Sequence, residues 1–308
     1  FCTAHGLAEE VDVTISTPPN IHPFFDAGSS TFSYVLFDRQ GGRCAVIDSV
    51  LNFDSKSGRT STEGADEVIR FVQANNLSVD WLLETHVHAD HVSAAPYLQS
   101  QLGGLIGIGA GIRTVHEAFS LAFMLPEDSR ETFQPFGRLF EPDERLKVGE
   151  LNVRAMHVPG HTPADLAYVI EPIDGTPGVA FVGDTLFMPD VGSARCDFPG
   201  GCAKTLFASV RRLLQLPPET RLMMCHDYPP PEREPLCETT VREQLLHNIH
   251  IRDEVAEDEF VRLRQTRDAS LAMPTLMLPA IQVNIRAGML PAAEKNGIRY
   301  LRIPLNVF

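Results

Sequence analysis

The stretch VDWLLETHVHADH, residues 79–91, decides how the rest of this chain is read. Its first part, VDWLLET (79–85), is apolar and predicts a buried strand. That strand delivers the chain into THVHADH (85–91), which holds His86, His88, Asp90 and His91. A lone histidine is most simply a packed or surface residue. Three around an aspartate are not, because such a cluster needs a cation to organise it. Residues two apart in an extended segment share a face, so His86 and His88 point together. Asp90 and His91 fall on the turn into the next helix and reach the same cleft from its edge.

Further along, three more donors follow apolar strands and turn residues: His161 in HVPGHTPADLAYV, Asp184 in FVGDTLF and His226 in MMCHDY. Strand-end loops converge on one rim of a sheet, where sites are commonly built. The candidate ligands are therefore His86, His88, Asp90, His91, His161, Asp184 and His226. His5, His22, His116, His157, His247 and His250 read as structural or surface residues.

The wider pattern mixes strands with helices. VDVTIST (11–17), TFSYVLFD (31–38), GGRCAVIDSV (41–50), LIGIG (105–109), LNVRAMHVPG (151–160), DLAYVIEP (165–172), GVAFVGD (178–184) and TRLMMCHD (220–227) predict strands. STEGADEVIRFVQANN (61–76), VSAAPYLQSQLGG (92–104), GIRTVHEAFSLAFML (111–125) and CAKTLFASVRRLLQLPP (202–218) predict helices, the last stopped by Pro217 and Pro218. A Pro-rich stretch, YPPPEREP (228–235), marks a change of segment. The charged run 237–270 is expected to be helical, its role left open with an interface as one option. The whole, 1–308, is expected to form a single α+β domain with sheets covered by helices, a doubly wound fold being the alternative.

Composition narrows the partners. The net charge of −14 argues against nucleic acid and against anionic membranes. An anionic substrate would need local positive residues to offset that field. Six irregularly spaced cysteines do not read as a disulfide framework, so a reducing, cytoplasmic setting is expected. No apolar run reaches the length of a membrane span. The opening FCTAHGLAEE lacks a signal-peptide pattern, and it does not begin with Met, so a removed targeting segment would leave no trace.

Taken together, THVHADH, GHT (160–162), GDTLF (183–187) and HDY (226–228) resemble the metallo-β-lactamase superfamily. The resemblance implies an αββα sandwich: two mixed sheets face to face, helices outside, ligand loops along one edge. Within it, THVHADHVSAAPYL, VPGHTPADLAYV, GSARCDFPGG, HDY and LPAIQVNIRAG resemble the persulfide dioxygenases, also called sulfur dioxygenases or ETHE1-like proteins, and among them the bacterial β-lactamase-like hydrolase branch. That likeness implies one Fe(II) per chain held by His86, His161 and Asp184, a two-histidine, one-carboxylate triad with positions left open for O2 and a persulfide sulfur. Glutathione persulfide would be oxidised to sulfite in sulfide detoxification. His88, Asp90, His91 and His226 would then surround the iron or mark a vacant second metal site. Tyr228, Arg195 and Arg286 would meet the substrate, and a homodimer is expected by the same likeness. Two rivals stand beside it. Glyoxalase II uses the same seven donors for two metals and hydrolyses a glutathione thioester. A non-enzymatic sensing protein that kept the fold is the other, although an intact triad speaks against it.

Overall fold

The computed structural model describes residues 18–125, 136–173 and 175–307, so the strand expected at 11–17 lies outside the described residues. Alternation along the strands builds two apolar faces at once. In β2 (Thr31–Phe37), Phe32, Tyr34 and Leu36 pack into a core shared by two sheets, whereas Val35 packs on the opposite side against helices. β3 (Arg43–Ile47) repeats this, with Ala45 and Ile47 inward and Cys44 and Val46 outward. Strands buried on both faces carry near-continuous apolar runs, which is why they were readable as sequence.

The first sheet has the order β1-β2-β3-β6-β8-β9, adding β1 (Asn20–Asp26), β6 (Ser78–Leu83), β8 (Leu105–Gly109) and β9 (Arg138–Phe140). The second runs β10-β11-β12-β13-β14-β15: Glu144–Val148, Leu151–His157, Leu166–Ile170, Val179–Phe181, Arg221–Met223 and Glu238–Thr240. A small sheet, β5-β4-β7 (Arg59–Ser61, Val50–Asp54, Val92–Ser93), stands at one end as a hairpin paired to the two residues that follow the histidine segment.

Helices cover both outer faces. The first sheet carries α1 (Glu63–Ala74), α2 (Ala95–Leu102), α3 (Ile112–Phe123) and α7 (Met277–Asn284). The second carries α4 (Ala203–Leu213), α5 (Val241–His247) and α6 (Glu257–Asp268). The architecture is the expected αββα sandwich rather than the doubly wound alternative. Parallel pairing of β3 with β6 and of β13 with β14 sends their carboxyl ends to the same edge of each sheet. The backbone closes that edge, since Phe32 N donates to Cys225 O at 2.7 Å and Thr31 bridges His226.

The charged run 237–270 differs from a continuous helix. It begins as β15, forms α5, breaks over residues 248–256 and resumes as α6. Asn248 causes the break. It is fully buried and extended, its Oδ1 accepts from the backbone N–H of His250 (2.8 Å) and Ile251 (3.1 Å), and its amide donates to Gly192 O (3.0 Å). A side chain that satisfies backbone groups in this way competes with the helix. On α6, Glu257, Asp258 and Glu259 occupy the first turn, where the helix dipole favours acids.

Candidate metal centre

All seven expected donors meet at the closed edge. β6 ends at Leu83 and releases the histidine segment. The turn after β11 carries His161, the turn after β13 carries Asp184, and the end of β14 leads to His226. The seven donors fall into two adjacent groups, each with all members within 4.8 Å of one another: His86, His161 and Asp184, and His88, Asp90, His91 and His226. His226 also lies within reach of Asp184, with Nε2 to Oδ1 at 3.3 Å.

The decisive observation is what these atoms lack. His86 Nε2, His88 Nδ1, Asp90 Oδ2, His91 Nε2, Asp184 Oδ1 and His226 Nε2 are buried without a hydrogen-bond partner. His226 Nε2 and Asp90 Oδ2 are 2.9 Å apart yet do not form a hydrogen bond. Stranding one buried polar atom costs about 1–3 kcal/mol, so six converging on one spot are accounted for by cations. The donor chemistry fits as well. Imidazole nitrogens with carboxylates suit iron, zinc or manganese, and nothing in the donor set singles out one of them.

The opposite edges of the same rings are held. His161 Nδ1 is 2.7 Å from Arg195 O, which fixes the ring with its other nitrogen toward the centre. His88 turns Nε2 to Asp48 Oδ1 at 3.0 Å, with Glu84 Oε2 at 3.4 Å. Asp48 also accepts from Thr85 N and Thr85 Oγ1. Asn284 fastens the segment from behind, since its amide donates to His88 O (2.9 Å) and His91 O (2.8 Å) while its Oδ1 accepts from Ser93 N (2.8 Å). Such outer contacts orient metal ligands and tune their basicity.

Electrostatics divide the rings: burial opposes charge on His226, but the Asp184 and Asp90 carboxylates override it and raise its pKa. Burial, reinforced by neighbouring histidines, pushes His86 well below its ordinary pKa and lowers His91, so both present neutral imidazoles. Burial opposes charge on His88 too, but the Asp48 carboxylate overrides it and raises His88. Burial lifts Asp165 to about 7, although Thr162 donates to both its oxygens and so braces the turn that carries His161.

One large cleft, about 1030 Å³, opens onto this centre. Asp90, His161 and Asp184 line it, whereas His86, His88, His91 and His226 do not. Tyr228 lines it as well, stacked on His226 (5.7 Å between ring centroids, 16° between planes) and edge-on to Phe187. Arg195 is at the cleft as expected, but its guanidinium is already engaged. Nε and Nη2 make a bidentate pair with Asp197 (2.6 and 2.7 Å), and Nη1 donates to Ala272 O at 2.7 Å. Arg286 is not brought to the cleft. Its Nε donates to Gln282 O one turn back on α7, and burial there lowers its pKa. Within the charged run 237–270, Arg264 and Arg267 line the cleft, and Leu271 and Ala272 just beyond it continue the wall.

Asp48, Glu84 and Asn284 were missed in the sequence as supports of the site. Asp48 follows an apolar strand as Asp184 does, which was a usable signal; Asn284 lay within LPAIQVNIRAG, already set apart by its likeness, and Glu84 had no signal.

Comparison with known proteins accords with this geometry. The profile of the metallo-β-lactamase superfamily matches residues 27–226. A probable metallo-hydrolase of Burkholderia pseudomallei is 52% identical over 93% of this chain and 99% of its own. Glyoxylase B2 of Dictyostelium discoideum is 46% identical over 95% and 99%. The human mitochondrial persulfide dioxygenase ETHE1 is 25% identical over 88% and 90%. Among solved structures, ETHE1 from Myxococcus xanthus shares the fold, with a TM-score of 0.68 at 24% identity over 88% of this chain and all of that one. On the profile match and on these relatives, the chain belongs to the metallo-β-lactamase superfamily.

Proposed function

We propose that the protein is a glutathione-dependent persulfide dioxygenase with one Fe(II) per chain. The observation that carries this reading is which donors face the cleft. The group His86, His161 and Asp184 is a two-histidine, one-carboxylate set, and two of its members line the cleft beside the Tyr228 ring. A substrate entering there meets this group first, while His88, His91 and His226 stay beneath it. The sequence likeness to human ETHE1 supports the same chemistry.

The overall reaction balances as glutathione persulfide, O2 and water giving glutathione, sulfite and two protons. A bound Fe(II) would supply the one-electron chemistry that O2 requires. The rest is work for the chain. Burial holds His86 neutral with its lone pair free. The contact of His161 with Arg195 O keeps its Nε2 turned to the centre. Asp184 brings the negative charge that retains a divalent cation. Tyr228 faces the cleft, and its phenol, protonated near neutrality, can donate to a sulfur bound beside it. Phe187 and Phe198 line the same cleft and limit water around the reacting sulfur.

A dinuclear thioester hydrolase is the second reading. It is favoured by the six stranded donor atoms, which span both groups, and by the likeness to glyoxylase B2. Metal analysis combined with two assays separates the readings. Near one iron per chain, with O2 uptake on addition of glutathione persulfide, supports the dioxygenase. Two metals per chain with rapid hydrolysis of a glutathione thioester overturns it.

A further inference from the structure

Charge accounting around the cleft leaves a remainder. Asp90 and Asp184 belong to the metal centre. Asp190 is paired with Arg233, Arg195 with Asp197 and Arg264 with Asp268. Asp54 spends its carboxylate on its own hairpin turn, accepting from Lys56 N and Ser57 Oγ. Two charged residues lining the cleft remain, Lys56 and Arg267, and neither side chain makes an ion pair or hydrogen bond among the described residues. They come from separate elements: Lys56 sits at the tip of the β4–β5 hairpin and Arg267 in the last turn of α6. In a chain of net charge −14, two uncompensated cations over one cleft are a local reversal of the global field.

We propose that Lys56 and Arg267 form a two-sided clasp for the carboxylates of the substrate, and that Arg195 is a brace of the cleft wall rather than the anion-binding residue. The guanidinium of Arg195 is neutralised along one edge by Asp197, capped at its end by Ala272 O and covered on a face by Phe198 at 5.0 Å. Recruiting it for a ligand would mean breaking a bidentate pair already made. Lys56 and Arg267 carry no such cost. The ligand class that fits is a sulfur compound bearing two carboxylates, one for each wall. This rests on the proposed function, since it takes the thiol carrier to be glutathione, but its test does not depend on turnover.

The probe is S-methylglutathione, a thioether with both carboxylates, titrated calorimetrically into the metal-loaded protein. Lys56→Ala and Arg267→Ala are each expected to weaken binding about tenfold, the double variant more, as a lost charge-assisted contact would. Binding is also expected to weaken as salt rises. Glutathione diethyl ester, which lacks the carboxylates, is expected to bind wild type and double variant equally weakly. Both side chains are exposed, so melting temperatures should stay unchanged, whereas Arg195→Ala should lower the melting temperature. The clasp is overturned if the double variant binds S-methylglutathione as wild type does, if wild type does not bind it, or if the ester loses affinity in parallel. Should the clasp hold while no persulfide oxidation is seen, the dioxygenase reading alone falls.

Discussion

Asp184 shows how much rests on one carboxylate. It lies within reach of His86, His161 and His226, at 3.9, 3.7 and 3.3 Å, and is the only donor common to both halves of the centre in these contacts. Asp184→Asn keeps the shape and removes the charge. The variant should fold, by circular dichroism, yet retain less than about a tenth of the wild-type metal by elemental analysis. Asp90→Asn should lower persulfide oxidation far less than Asp184→Asn if the enzyme is mononuclear, and comparably if it is not. Asn284 acts at one remove. Asn284→Ala leaves the carbonyls of His88 and His91 without their donor, and a 10–100-fold loss of metal affinity is expected, roughly that of other outer-layer substitutions. Competition with a chromogenic chelator measures it. The donors themselves were legible in the sequence because short spacing and strand ends announce them. Glu84 was not, and Asn284 only as part of LPAIQVNIRAG, because their contacts depend on neighbours that only the folded chain brings near. Arg195 was legible as a cleft residue, and Asp197 beside it as a residue able to pair with it or brace the loop, whereas the contact with Ala272 O was not, because it comes from a segment 77 residues away.

At the scale of elements, strands with two apolar faces and helices with stops were readable, and the run 237–270 was readable only as charged and helical. Its interruption comes from one buried asparagine and from His250 beyond it. His250 is 3% exposed, and its Nδ1 accepts from Ser193 N at 3.0 Å, an acceptor role that needs the neutral ring. Burial, with Arg264 and Arg267 adding to it, lowers its pKa to about 4 from the usual 6.5. The unfolded chain therefore binds more protons than the folded one between these values, and stability falls as pH drops through that window. The full shift corresponds to roughly 3 kcal/mol. Thermal midpoints measured from pH 7 to pH 4 should decline, and His250→Gln should flatten the decline at the expense of some stability near neutrality. Because the break carries the wall of the cleft, affinity for S-methylglutathione should fall over the same interval. Close packing governs another element boundary. A side chain at Gly160, where φ is +146°, would meet the backbone of Leu206 on α4 at 2.3–2.5 Å, so the turn that carries His161 admits only glycine.

Across the whole molecule, the centre is a seam between two sheets. The first sheet contributes the histidine segment, the second contributes His161, Asp184 and His226, and hydrogen bonds such as Phe32 N to Cys225 O and Leu166 N to Thr85 O cross between them there. A cation that binds both sides is then part of the fold, because it is held by the native state and not by the unfolded one. At a thousandfold excess over Kd such binding is worth about 4 kcal/mol. Stripping metal with a chelator should lower the thermal midpoint in calorimetry, and restoring Fe(II) or Zn(II) should recover it. A protein whose midpoint ignores chelation would not be using these donors for a cation. No described helix is long and apolar enough to cross a membrane, and the acidic surface leaves Lys56 and Arg267 as the exceptions that matter for a small anion.

The contact between Asn284 and Ser93 spans 191 residues of chain. Protein synthesis therefore makes the histidines early and their fastener late. A nascent chain emerging from the ribosome displays THVHADH long before α7 exists to lock it, so tight cation capture has to wait until α7 has been made. A premature stop between residues 227 and 284 would yield a polypeptide that owns every donor and still lacks the finished site.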